Sequence, residues 1–181
     1  MKCSRHLANT IEQHGGEPLM WKTGHSFIKT GIKETGALLG GEMSGHIFFK
    51  ERWYGFDDGL YTAARLLEIL AQDSRSPAEV FACLPDAVNT PELKLELAKF
   101  GQHYELMQKI QDTFHFEDAK VVTIDGVRAD FSNGWGLVRP SNTTPSLVIR
   151  FEADDEAGLK AIQEQFRRQF LAIDNTLQLP F

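Results

Sequence analysis

The chain is poor in cysteine, in net positive charge and in long apolar runs, and each shortage excludes something. Its two cysteines, Cys3 and Cys83, are far apart and form no CxxC pair. That spacing points to neither a disulfide framework nor a zinc site. The formal net charge of −6 disfavours a general nucleic-acid-binding role. A local basic cluster on an acidic surface can still accept an anion. No apolar stretch approaches the ~20 residues of a membrane span, so no membrane partner is expected. Met1-Lys2-Cys3-Ser4-Arg5-His6 has no apolar region behind it, which reads as no secretory signal. A reducing cytoplasm is the expected compartment. There is no internal repeat and no low-complexity segment. What is present is ordinary for a soluble globular protein: 181 residues, 42% hydrophobic and 24% charged, enough for one or two domains.

Along the first part of the chain, helix and strand patterns alternate. Ser4 can cap a helix through about His14, with Leu7, Ala8 and Ile11 on one face and Gly15-Gly16 ending it. Pro18 to Trp21 reads as a short buried strand, Thr23-Gly24-His25 as a turn, and Ser26 to Thr35 as a helix weakened by Gly31. Asp57-Asp58 favour the positive end of a helix whose Leu60, Ala63, Ala64, Leu67 and Leu70 recur at helical spacing. Ser76-Pro77 starts another helix, ending near Leu84. This alternation is an α/β layer pattern. Pro85 to Pro91 reads as a linker.

After it the pattern changes. Leu93, Leu95 and Leu97 alternate with charged residues, as in a half-buried strand. Residues 101–113 form a helix with Tyr104, Met107 and Ile110 or Gln111 on one side. Asp125-Gly126 and Asn133-Gly134 are hairpin signals between apolar strands, and Ser146 to Glu152 is a further strand. Asp154 or Asp155 starts a long helix with Leu159, Ile162, Phe166, Phe170 and Ile173 inward. The second half is therefore an α+β unit with a mostly antiparallel sheet. The expected division is 1–86 and 87–181.

Two stretches can carry chemistry. Gly40-Gly41-Glu42-Met43-Ser44-Gly45-His46 lies between the apolar runs Ala37-Leu38-Leu39 and Ile47-Phe48-Phe49. It places a carboxylate, a hydroxyl and an imidazole on a glycine-rich loop between two strands. A carboxylate accepting two hydroxyl donors is a common way to hold a vicinal diol. The plainer reading is a hairpin turn facing water. The second stretch is Arg139-Pro140-Ser141-Asn142-Thr143-Thr144-Pro145. A guanidinium makes bidentate contacts with phosphate, and short hydroxyl, amide and backbone donors add to it. Here too ordinary turn chemistry is the alternative. The arginine is expected at the start of a solvent-facing loop, where its removal would change stability little.

GEMSGH followed by FFKERWYGFDDG resembles the sugar-binding loop of the α-D-phosphohexomutases, in their bacterial phosphomannomutase/phosphoglucomutase branch. RPSNTTP resembles that family's C-terminal phosphate-binding loop. The resemblance covers the whole chain but only the C-terminal part of the family's architecture. It implies an incomplete three-layer α/β domain 3, with its first strand cut to Lys2-Cys3, and a TATA-binding-protein-like domain 4. It implies that Glu42 and Ser44 bind sugar hydroxyls and that His46 lies near the reacting hydroxyl as general base. Lys2 and His25 would face the transferring phosphate and the sugar. Arg139, Ser141, Asn142, Thr143 and Thr144 would hold the phosphate that is not transferred. His6, His14, His103 and His115 match no motif and are expected at the surface or an interface. Asp57-Asp58 are expected to cap a helix rather than bind metal.

The implied reaction interconverts hexose 1-phosphate and hexose 6-phosphate, of mannose or glucose, through a hexose 1,6-bisphosphate. The family uses Mg²⁺ and a phosphoserine, in an Asp-Gly-Asp-Gly-Asp loop and a Ser-His-Asn-Pro setting, and neither motif occurs here. Domains 1 and 2 are expected to supply them, and this chain alone is expected to be inactive. The alternatives are a non-catalytic phosphosugar-binding module and a fragment of a phosphoglucosamine mutase.

Overall fold

The computed structural model describes residues 1–181. The chain divides into two compact units: Lys2 with His6–Asp86, and Met1, Cys3–Arg5 with Ala87–Phe181.

The first unit contains helices α1 (Arg5–Gln13) and α2 (His25–Thr35), strands β1 (Leu39–Gly41) and β2 (Ile47–Phe49), and helices α3 (Gly59–Gln72) and α4 (Pro77–Ala82). β1 and β2 form a two-stranded antiparallel hairpin, with Gly41 opposite Ile47. A small core of Ile28, Ile32 and Phe48 joins α2 to this hairpin. Residues 18–21 are not a strand. They pair with neither strand of the hairpin, and an unpaired strand leaves its N–H and C=O groups without ladder partners. Trp21 instead lies against α2. Its indole N–H donates to the Phe27 carbonyl at 3.0 Å, and a side chain at Gly31 would come within 2.6 Å of the ring. The glycine that weakens the helix in sequence terms is what admits the tryptophan.

Asp58 caps α3 by accepting from the Tyr61 N–H at 2.9 Å. The inward face expected of α3 is not buried, however. Leu60 is 88% exposed, Leu67 is 65% exposed, and no residue of the helix is fully buried. Two three-residue strands are too small a surface to cover it. Ser76 and Glu79 close a reciprocal capping box on α4.

The second unit contains β3 (Val88–Asn89), β4 (Leu93–Glu96), α5 (Gln102–Thr113), β5 (Lys120–Val122), β6 (Val127–Phe131), β7 (Gly134–Pro140), β8 (Ser146–Ala153) and α6 (Glu156–Ile173). All pairings are antiparallel, in the order β3-β8-β7-β6-β5, with β4 also on β8. β3 falls inside the segment read as a linker. The β5–β6 connection is not a two-residue turn, since Val122 pairs with Arg128. The β6–β7 turn is Ser132-Asn133, because Phe131 pairs directly with Gly134.

Strand alternation gives the sheet two unlike faces. Val127, Ala129, Val138, Ile149, Phe151 and Ala153 pack with Leu159, Ile162, Phe166 and Phe170 of α6 and Met107 and Ile110 of α5. The opposite face carries Arg128, Trp135, Arg139 and Glu152, all buried. His103, expected at the surface or an interface, is completely buried on α5, where its ring meets Phe100 edge-on and Tyr104 at a tilt. Its ring sits on the inward side of the helix with Met107 and Ile110, while Tyr104 faces outward at 44% exposure.

Candidate functional site

In the first unit, the hairpin loop and the N-terminus of α2 bring four of the expected residues together. The loop is closed by its own backbone. Glu42 N–H donates to the His46 carbonyl at 2.9 Å, and Gly45 N–H donates to the Glu42 carbonyl at 3.0 Å. This turns the Glu42 side chain toward α2, where Oε1 accepts the Gly24 N–H at 2.7 Å. The other oxygen, Oε2, is buried and has no hydrogen-bond partner. Ser44 stands exposed at the loop tip. The His25 and His46 rings lie 5.9 Å apart, centroid to centroid.

His46 has a partner that sequence reasoning missed. Its Nδ1 is 2.7 Å from Asp57 Oδ2. An ionised carboxylate only accepts, so Nδ1 carries the proton and neutral His46 keeps its Nε2 lone pair free. Asp57 and Asp58 therefore divide their work: the second caps the helix and the first orients the imidazole. The signal was present as two adjacent aspartates, since a single helix needs only one cap. Beside them, Trp53 stacks on Tyr61 with ring centroids 4.3 Å apart, and Tyr54 is 74% exposed.

In the second unit, Arg139 is not in a loop. β7 continues through Pro140, and the arginine is buried in the sheet, its Nε and Nη2 bonded to Asp125 at 2.9 and 3.3 Å. Asp125 reaches it because Gly126 allows a close approach. A Cβ at that glycine would lie 2.2 Å from the Val138 carbonyl oxygen, and its φ is +98°. The expectation of an exposed, dispensable arginine is thus corrected. The turn that follows is organised on Ser141. Its Oγ accepts from the N–H groups of Thr143 and Thr144 at 3.3 and 3.2 Å and from the Thr144 hydroxyl at 2.9 Å. Ser141 N–H donates to the Ser146 carbonyl, closing the loop. Asn142, Thr143 and Thr144 remain exposed. Lys2 is half-buried, and the carbonyls of Met1 and Cys3 on either side of it are both hydrogen-bonded by Arg128.

No group of three or more His, Cys, Asp or Glu side chains stands close enough to hold a metal ion. The donor set of this chain therefore does not fit a magnesium site. No helix is long and apolar enough to cross a membrane.

Two family models match consecutive stretches of the chain. Residues 1–88 match phosphoglucomutase/phosphomannomutase, alpha/beta/alpha domain III, and residues 92–169 match the C-terminal domain of the same family. The chain belongs to the phosphoglucomutase/phosphomannomutase family. Among curated relatives, a phosphomannomutase/phosphoglucomutase of Pseudomonas putida is 55% identical over 181 residues, which is 100% of this chain and 39% of that protein. A phosphoglucomutase of Neisseria meningitidis is 54% identical over 168 residues, covering 92% of this chain and 36% of the relative. A phosphomannomutase of Methanocaldococcus jannaschii is 32% identical over 177 residues. The crystal structure of a phosphoglucomutase/phosphomannomutase family protein from Burkholderia thailandensis superposes with a TM-score of 0.92 at 54% identity, covering 99% of this chain and 38% of that one. The chain thus spans about two fifths of the length of the curated relatives it matches. Its two units correspond to an α/β domain III and an α+β C-terminal domain.

Proposed function

We propose that this chain is the sugar- and phosphate-binding portion of a hexose phosphate mutase, which moves phosphate between C1 and C6 of mannose or glucose by way of a bisphosphorylated sugar. The observation that carries the reading is Glu42. One of its oxygens is anchored by a backbone N–H, and the other is buried without a donor. An unmet buried acceptor is costly, and a sugar hydroxyl satisfies it. Ser44 at the loop tip adds a second hydroxyl contact. His46, oriented by Asp57, presents Nε2 as a general base to the reacting hydroxyl. His25 contacts the sugar, and Lys2 faces the phosphate being transferred.

Arg139 and the Ser141–Thr144 turn hold the phosphate that stays. Because Nε and Nη2 of Arg139 engage Asp125, a phosphate bound there uses the Nη1 edge or displaces the carboxylate. Neither a phosphoserine motif nor a magnesium donor set is present in these residues. The chain alone therefore binds and does not turn over. Hexose 1,6-bisphosphate, Mg²⁺ and two further domains complete the reaction.

The test is an NMR titration of the 181-residue chain with mannose 6-phosphate. The amides of Ser141 to Thr144 shift first, with a Kd of about 1 mM, equivalent to roughly −4 kcal/mol. Affinity falls with added salt, and unphosphorylated mannose leaves those amides still. If they stay still while others move, the phosphate site is elsewhere. A coupled mutase assay on the same chain shows no turnover; activity that survives repurification overturns the reading.

A further inference from the structure

We infer that Arg128 is a positioning residue that fixes the backbone on both sides of Lys2, and so sets the direction in which that lysine leaves the chain. The inference rests on the proposed role of Lys2 toward the transferring phosphate.

Arg128 lies on β6 and is 2% exposed. Its guanidinium is held from every side. Nε and Nη2 both donate to Asp130 Oδ1, at 2.9 and 2.8 Å, from two residues along the same strand face. The plane of the group lies 4.0 Å over the Trp135 ring. Only Nη1 points away, and it donates to the carbonyl oxygens of Met1, at 2.5 Å, and Cys3, at 2.8 Å. Those carbonyls flank Lys2. One nitrogen thus pins the peptide before Lys2 and a peptide after it.

Glu152 extends the grip. Its Oε1 accepts from the Ser4 hydroxyl at 2.8 Å and from the Arg5 N–H at 3.2 Å. Ser4, read from sequence as a helix cap, thus also bonds to β8. Arg5 donates to the Ser132 carbonyl at 2.7 Å and pairs with Asp154.

Main-chain contacts of this kind do not depend on which side chains stand at positions 1 and 3. They specify where residue 2 projects. A lysine at 128 would keep the charge, but its ammonium has no planar fork to lie on Trp135 while serving Asp130 and two carbonyls at once. The partners of Arg128 would not hold it in one rotamer.

Two measurements test this. In the 181-residue chain, Arg128→Lys should speed hydrogen exchange of the Arg5 amide, whose N–H donates to Glu152 at 3.2 Å, about tenfold, the loss expected for one charge-assisted bond. The Trp135 indole resonance should persist as the sign of an intact sheet. Unchanged exchange in a folded variant overturns the hold. If Arg128→Lys does not fold, Arg128→Met, which keeps an apolar stem over Trp135 and removes every donor, is read in the same way.

The second measurement grafts the chain in place of the matching part of the P. putida relative and follows kcat and KM separately. Lys2→Met and Arg128→Lys should each lower kcat about tenfold with KM within twofold. The double variant should be no slower than Lys2→Met. An Arg128→Lys loss that recurs in full on the Lys2→Met background shows a general structural role and overturns the positioning inference. If Lys2→Met leaves kcat unchanged, the reading of Lys2 fails; the exchange result then still decides whether Arg128 holds the segment. If the graft has no activity, the exchange result decides the inference alone.

Discussion

The two units divide the same ingredients differently. The C-terminal unit has a six-stranded sheet, fifteen buried core residues and two ion pairs built on buried arginines, Arg128–Asp130 and Arg139–Asp125. The first unit has a two-stranded sheet, three buried core residues and ion pairs without a fully buried member, such as Arg52–Glu68, Arg65–Glu51 and Arg75–Asp73. Both carry long apolar side chains, but in the first unit Leu38, Leu39, Leu60 and Leu67 are exposed. The Ser141–Thr144 turn therefore hangs from a sheet that packing holds rigid. The Glu42–His46 loop is held by hydrogen bonds: Glu42 to Gly24, the Glu42–His46 backbone pair, and His46 to Asp57. Packing fixes the one turn and hydrogen bonds fix the other loop.

The sharpest way to break this comparison is a pair of truncations. Phe166 is completely buried and meets Phe114, Phe116 and Phe151 edge-on or tilted. Phe166→Ala should cost about 4 kcal/mol in urea denaturation followed by amide NMR. Leu67→Ala, on the exposed face of α3, should cost less than about 0.5 kcal/mol. Similar losses at the two positions would mean that α3 is covered in solution.

Next in size is Arg139→Ala. It leaves Asp125 without the arginine that neutralises it in a nearly buried pair, and should destabilise the C-terminal unit by about 3 kcal/mol. It should abolish phosphate-induced shifts as well. A variant that melts like the parent would return Arg139 to the surface role suggested by sequence.

Glu42→Gln should cost roughly 1–3 kcal/mol of sugar-phosphate binding, since a charged acceptor is replaced by a neutral one. The fold should be unaffected, because Gly24 N–H still finds an oxygen. Equal affinity for the two proteins would remove Glu42 from the site.

The smallest effect is electrostatic. The Arg75 side chain, and then its backbone N–H, hold the Asp73 carboxyl at about 2, below the usual carboxylate value. Its folded pKa is depressed, so the stabilisation is present above about pH 4 and is lost as pH falls toward 2. Thermal midpoints of the parent and Arg75→Ala should differ slightly above pH 4 and converge near pH 2. Parallel curves would mean the pair contributes nothing in solution.

Local signals were legible wherever they needed no distant partner. The caps at Asp58, Ser76 and Asp155, the α6 face of Leu159, Ile162, Phe166 and Phe170 and the β1–β2 hairpin all follow from residues within a few positions of one another. These elements, the order of the two patterns, and the two motifs whose residue types suit a diol and a phosphate follow from local residue pattern alone.

Tertiary structure alone decided the rest. Residues 18–21 have strand composition, but a strand exists only where another strand offers partners. Leu60 and Leu67 have helical periodicity, but periodicity names a face without supplying anything to cover it. Arg139 and His103 are polar in sequence and buried in space, because a side chain's environment is set by what the sheet and helices bring against it. Arg128 reaches Met1 and Cys3, more than a hundred residues away along the chain. No local spacing encodes that contact. It forms because strand alternation aims one guanidinium at a segment that only the fold delivers.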